Sequence, residues 1–199
     1  MKAIPARPAL RRPWTYVHAA VAGAAGVAGV AVSLVAAPNL EGIAGAGLAL
    51  LMITIAAIDA RRFVIPDQLN IVALALALIN AAIQNSEIAI MAIALAVTRA
   101  AVLSIIFLGL QVSYRKLRKR DGLGLGDVKL AGVAGAWLSW QSIPVAVEIA
   151  ALAAIAAYTM RSYVAGRALQ MTHRLPFGLF FAPAIWLGWL LQALQLTPS

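Results

Sequence analysis

The sequence predicts an all-α fold, a polytopic transmembrane helix bundle of about seven spans, on three observations. The 199-residue chain is 63% hydrophobic with a mean hydropathy of +0.89, against a roughly half-apolar composition for a soluble domain. Apolar runs close to the ~20 residues that cross a bilayer recur along its whole length. The basic residues fall in alternate gaps between those runs.

Hydropathy places the spans at 14–37, 40–58, 68–84, 88–110, 128–142, 144–160 and 177–195. The first follows a basic N-terminus, residues 1–13, with Lys2, Arg7, Arg11 and Arg12. Its apolar run is too long for a signal-peptide core, and Pro38 would follow any cut after Ala37, so it reads as a retained span. The gaps after the first, third and fifth spans are tight and free of Lys and Arg. The other gaps are basic: Arg61 and Arg62, then Arg115 to Arg120 within a loop over 111–127, then Arg161, Arg167 and Arg174. Basic residues stay on the cytoplasmic side, which sets the N-terminus in and the C-terminus out. The whole chain, 1–199, reads as one transmembrane domain. Trp14, Trp137 and Trp140 fall near expected interfaces, as aromatic belts do. Glycines at 23, 26 and 29 and at 42, 45 and 47 give small faces for close helix packing.

Composition also excludes chemistry. The net charge of +9 would suggest nucleic acid in a soluble protein; here it sets topology, and no nucleic-acid partner is expected. With no cysteine, disulfides, thiolate metal sites and a cysteine nucleophile are ruled out. Two histidines, His18 and His173, argue against a His-rich metal site.

Seven acids remain: Glu41, Asp59, Asp67, Glu87, Asp121, Asp127 and Glu148. Topology sorts them. Glu41 and Glu87 lie at outer turns and are expected to be solvated, and Asp121 to pair within the basic loop. Asp59 ends the second span and Asp127 opens the fifth, both at the cytoplasmic end. Carboxylates at one depth meet if their helices are neighbours, and two close carboxylates share a proton. Such a pair can activate a water and protonate a carbonyl oxygen. Position alone leaves a second reading open, in which each acid caps a helix or pairs with Arg61, Arg62 or Lys129. Gly122, Gly124 and Gly126, alternating before Asp127, permit an extended or sharply turned backbone that a substrate strand could approach; a flexible loop is the plainer alternative.

Gly124-Leu125-Gly126-Asp127-Val128-Lys129-Leu130 resembles the Gly-x-Gly-Asp-x-Lys signature of type IV prepilin peptidases and archaeal preflagellin peptidases. Asp59-Ala60-Arg61-Arg62-Phe63-Val64-Ile65-Pro66-Asp67-Gln68-Leu69-Asn70 is similar to the family's first aspartate motif, and Leu175-Pro176-Phe177-Gly178 to its Pro-Phe-Gly element. The three motifs occur in family order over residues 59–178. The resemblance implies an aspartic endopeptidase of the cytoplasmic (inner) membrane. It would cut prepilins, pseudopilins or preflagellins between a short basic leader and the apolar N-terminus of the mature subunit. Asp59 and Asp127 would be the catalytic pair, supported by Gly124, Gly126, Lys129, Pro66, Asp67, Pro176, Phe177 and Gly178. The family pattern permits Asn at the position of Asp67, which therefore reads as the cap of the third helix. Lys129 would favour the charged form of one aspartate, touch substrate, or snorkel to the interface. Pro66 and Pro176 would break helices and shape the site.

No cofactor and no metal is implied. Larger members carry an additional Cys-x-x-Cys segment linked with N-methylation, absent here, so methyltransferase activity is not expected. The chain resembles the short peptidase-only branch serving tight-adherence (Flp) pili or archaeal flagella. Arg99 and Glu148, both inside spans, are expected to pair with each other, and the basic loop to meet lipid headgroups. Two other classes are carried beside the peptidase. A small transporter or proton channel would use the intramembrane acids as a path, and a structural membrane subunit would tolerate replacement of Asp127.

Overall fold

The computed structural model describes residues 14–118, 124–164 and 176–194. Seven α-helices run through them: α1 (Trp14–Ala36), α2 (Leu40–Arg62), α3 (Asp67–Gln84), α4 (Ala89–Arg118), α5 (Leu125–Trp137), α6 (Ser142–Val164) and α7 (Phe177–Ala193). A single 3₁₀ turn, Ser86–Ile88, joins α3 to α4. Among the described residues there is no strand. Helices α2, α3, α4 and α6 are each long and apolar enough to cross a bilayer, and α1 and α7 add apolar stretches of 17 residues. The protein is a multi-pass membrane helix bundle.

Helix ends follow local chemistry rather than hydropathy. Asn39 starts α2, its side-chain oxygen accepting from the N–H groups of Glu41 at 2.9 Å and Gly42 at 3.3 Å, donors that a first turn otherwise leaves unpaired. α2 ends at Phe63, whose φ of 54° is left-handed and whose N–H donates to the Asp59 carbonyl. Glycine is the usual residue there; a side chain in that conformation costs about 1–2 kcal/mol. The expected loop over 111–127 is shorter than predicted, because α4 continues to Arg118. Lys and Arg are good helix formers, so hydropathy marks where the helix leaves lipid and not where it stops. Asp121 lies outside the described residues.

The fifth helix is the main departure from expectation. A span was predicted at 128–142, but α5 has 13 residues, about 20 Å of helix against a hydrocarbon layer of about 30 Å. It packs against α3, α4 and α7. From Asp127 to Trp137 every residue except Lys129 is buried. α5 is therefore a core helix enclosed by the longer ones. Trp137 belongs to this core and not to an interfacial belt: it is 6% exposed, and its Nε1 donates to the Ala73 carbonyl of α3 at 3.0 Å. Trp140 is about half exposed.

The short α5 explains Arg99. The expected partner was Glu148, but Glu148 is exposed on α6, which packs on α7, whereas Arg99 is on α4, which packs on α5 and α3. Arg99 Nε instead donates to the Gly135 carbonyl at 3.1 Å. That carbonyl is in the last turn of α5, where carbonyls lack intrahelical partners and the helix dipole is negative. A half-buried cation within the span thus meets a helix C-terminus rather than a carboxylate. Gly135 permits the approach, since a Cβ there would lie 2.5 Å from the Arg99 carbonyl oxygen and 2.8 Å from Ala100 Cα. Both are backbone atoms that cannot turn aside. Gly135→Ala is expected to destabilise the bundle by at least about 1–3 kcal/mol, read as a lower thermal midpoint in detergent; an unchanged midpoint would mean the two helices are not held this closely.

Candidate active site

Three helix termini converge at one end of the bundle. The last turn of α2 carries Asp59, the first turn of α5 carries Asp127, and the first turn of α7 carries Phe177 and Gly178. α2 packs on α7, and α5 packs on α7. Both carboxylates are buried, Asp59 at 5% and Asp127 at 8% exposure. They are near enough that the Asp59 charge acts on Asp127.

Each carboxylate is held by the N-terminus of a helix. Asp127 is the third residue of α5 and reaches back to the helix start: its Oδ2 accepts from the Gly124 N–H at 2.9 Å, and its own N–H donates to the Gly124 carbonyl at 3.2 Å. This is the acidic half of a capping box, with glycine in the capping position and hence no side-chain return bond. Asp59 does the equivalent across the bundle, where its Oδ2 accepts from the Leu179 N–H of α7 at 3.0 Å. First-turn N–H groups have no partner within their own helix, and the helix dipole there is positive. The second reading open at the sequence level is thus partly met, because both acids do cap helices. Neither is bonded to Arg61, Arg62 or Lys129. Oδ2 makes the capping bond in each, and the Gly178 N–H adds a second backbone hydrogen bond to the Asp59 carboxylate.

The supporting residues divide. Pro66 and Pro176 both stand at helix starts, as N-caps of α3 and α7, with φ of −66° and −69°. Each starts a helix rather than breaking one. Phe177 packs its ring on Phe181, with centroids 5.3 Å apart. Gly178 lies against Asp59: a Cβ there would be 2.9 Å from Asp59 Oδ2. Gly124 is exposed and Gly126 half-buried at the mouth of the site.

Asp67 and Lys129 stand apart from the buried pair. Asp67 does not cap α3; that place belongs to Pro66, which has no side-chain hydrogen bond to offer. Asp67 is instead the first residue of the helix, and its Oδ1 meets Lys129 Nζ at 2.7 Å with side chains 59% and 52% exposed. The ion pair ties the starts of α3 and α5 together at the surface. Exposed pairs contribute about 0–1 kcal/mol. Asp67→Asn and Lys129→Gln are each expected to leave activity within about fivefold of wild type, measured as initial rate in membranes. A loss of a hundredfold would give one of them a part in the chemistry.

Two residues of the first aspartate motif were given no role of their own by sequence reasoning. Ile65 is an apolar residue in a run of three, Phe63-Val64-Ile65, yet only Ile65 is buried. Asn70, one turn into α3, is 5% exposed, and neither end of its carboxamide has a protein partner, a rarity for a buried amide. Nothing in the sequence separates Asn70 from a surface residue of α3. Among the described residues no three His, Asp or Glu side chains cluster closely enough to hold a metal ion.

The chain is similar to several membrane peptidases. It is 27% identical to a prepilin leader peptidase/N-methyltransferase of Aeromonas hydrophila over 159 residues, which are 80% of this chain and 53% of that protein. It is 40% identical to leader peptidase HopD of Escherichia coli over 77 residues, 38% of this chain and 49% of HopD. The HopD of Salmonella typhimurium is 36% identical over the same share of both. The aligned segments span about half the length of these relatives. No solved structure matches. The model of the type IV leader peptidase family matches residues 46–159, more than half of the sequence and the stretch that includes Asp59, Ile65, Pro66 and the Gly124–Lys129 motif. By that match the chain belongs to the type IV leader peptidase family.

Proposed function

We propose that this protein is an aspartic endopeptidase that removes the short basic leader from prepilin-like or preflagellin-like precursors, with Asp59 and Asp127 as its catalytic dyad. One observation carries the reading: two carboxylates from different helices are buried together at one end of the bundle, each anchored by a helix N-terminus. The family's named peptidases support the same chemistry. They do not favour a transporter, for which the acids would need to line a path across the bilayer.

The dyad works as one titrating unit. One carboxylate is ionised and takes a proton from a water as its oxygen attacks the scissile carbonyl carbon. The other is protonated and gives its proton to the carbonyl oxygen. The tetrahedral diol then collapses: one hydroxyl returns its proton to the second carboxylate as the C=O re-forms, the C–N bond breaks, and the proton held by the first carboxylate passes to the leaving amine. Gly124, exposed at the mouth of the site, leaves the approach to Asp127 free of its own side chain, which suits an extended peptide backbone. The positive-inside pattern puts this end of the bundle in the cytoplasm, the side on which a leader awaits cleavage, in an inner membrane.

Reconstitution tests the reading. Proteoliposomes holding the purified chain and a prepilin-like precursor with a basic leader are expected to yield a mature subunit with a new N-terminus by mass spectrometry. Ion flux across the same vesicles with every precursor left intact would replace the peptidase by a transporter.

A further inference from the structure

The loop from α2 to α3 passes directly between the two carboxylate anchors. Phe63 turns the chain by its left-handed conformation, and Pro66 fixes the start of α3. Between them Phe63 and Val64 are 55% and 58% exposed while Ile65 is 7% exposed. The backbone thus delivers one apolar side chain inward and leaves its neighbours outside.

That side chain touches both anchors. A Cβ on Gly126, the residue before Asp127, would lie 3.1 Å from Ile65 Cβ and 3.4 Å from its Cγ1 and Cδ1. A Cβ on Gly178, one residue before the N–H that holds Asp59, would lie 2.8 Å from Ile65 Cδ1. The two glycines present bare backbone to one isoleucine, Gly126 along its length from Cβ to Cδ1 and Gly178 at Cδ1. We infer that Ile65 is a positioning residue, a wedge between the first turns of α5 and α7 that sets the separation of Asp127 from Asp59. The inference rests on the dyad proposed above and assigns it a spacer.

The physical reason is packing. Interiors are close-packed and transmit displacement, and both carboxylates are fixed to the turns that Ile65 separates. A shortened wedge lets those turns move towards each other or rock. Two carboxylates share a proton in a way that depends steeply on their distance, and displacement of a catalytic group by about 1 Å costs up to about a hundredfold in rate. Phe63 and Val64, both exposed, have no such role.

Ile65→Ala, Ile65→Val and Ile65→Leu, compared in proteoliposomes with a prepilin-like precursor, test this. Ile65→Ala is expected to lower kcat by about tenfold to a hundredfold with KM within about twofold, and to change the separation of the two limbs of the pH–rate profile. Ile65→Val, which removes only Cδ1, is expected to fall between, and Ile65→Leu, of equal volume, to recover most of the rate. The cysteine-free chain also allows a readout that needs no activity. Spin labels on cysteines introduced at Leu125 and Phe180 are expected to give one narrow distance distribution in wild type and a shifted or broadened one in Ile65→Ala. A shift in that distance with no cleavage by wild type keeps the wedge and removes the peptidase. Unchanged distance, kcat and pH profile in a folded Ile65→Ala overturns the wedge and leaves the peptidase standing. Parallel loss of thermal stability and of active fraction in Ile65→Ala, with both distance and pH profile unchanged, also overturns it, because Ile65 would then be ordinary core.

Discussion

Asp127→Asn and Asp59→Asn are each expected to reduce leader cleavage by about 10²–10⁴-fold while leaving the protein folded in the membrane. The isosteric amide is the informative change because both aspartates also cap helices. An asparagine oxygen can still accept from the Gly124 N–H in place of Asp127 Oδ2, and from the Leu179 N–H in place of Asp59 Oδ2. Asn is as good a cap as Asp, so the fold is kept and only proton transfer is removed. Alanine removes both, and loss of a cap adds about 1 kcal/mol of destabilisation. The expected pattern is therefore an inactive Asn variant with a near-normal thermal midpoint and an inactive Ala variant with a lower one. The double Asn variant should be no slower than either single, since residues that act as a unit do not add. The initial rate of leader removal and the thermal midpoint of the same preparation are the two readings. Cleavage by Asp127→Asn within tenfold of wild type would reduce Asp127 to a cap and move the chemistry elsewhere. Because the dyad needs one protonated and one ionised carboxylate, the wild-type rate is expected to fall at both acid and alkaline pH.

How far these features can be read in a bare sequence depends on the range of the interaction behind them. Helices α2, α4 and α6 follow from apolar length, which is a local property, and their middles were placed correctly. The aspartates were found because an acid at the edge of an apolar run stands out and because their motifs are contiguous. What hydropathy could not supply is which helix is enclosed. The run 128–142 looked like a span since Ala, Gly and Val suit both lipid and a packed core; only the close approach of α4 and α5 at Gly135 distinguishes the two. The same blindness misplaced Trp137, whose indole is spoken for by a carbonyl 64 residues away. It also paired Arg99 with Glu148, another charge inside a predicted span, rather than with the end of a helix whose length was misjudged. Asp67 was set apart from the proposed dyad for a cap that it does not make. Its bond to Lys129 crosses 62 residues, and no local pattern encodes it. Ile65 was invisible for a different reason: burial of one residue in Phe63-Val64-Ile65 is decided by the left-handed turn at Phe63, and no propensity foretells that turn.

Gly178→Ala sets local and tertiary terms against each other and is expected to be decided by the tertiary one. In the first turn of α7 alanine favours the helix by up to about 1 kcal/mol over glycine, so an isolated helix would gain. In the bundle the new methyl would sit 2.8 Å from Ile65 Cδ1 and 2.9 Å from Asp59 Oδ2. Both atoms are already engaged: Ile65 lies against Gly126 as well, and Asp59 Oδ2 is bonded to the Leu179 N–H. Overpacking of this kind costs about 1–3 kcal/mol, more than the propensity gain. The strain falls on the Asp59–Leu179 bond, so Asp59 leaves its place relative to Asp127 and the rate drops by up to about a hundredfold. The result is expected to be a net loss of stability together with a disproportionate loss of kcat. Ile65→Val on the Gly178→Ala background separates the two obstacles. Removing Cδ1 relieves the contact with isoleucine and leaves the one with the carboxylate, so stability should return before activity does. Recovery of both together would mean that Ile65 alone is the obstacle. A Gly178→Ala protein as active as wild type would show that the start of α7 does not hold Asp59 in its working position.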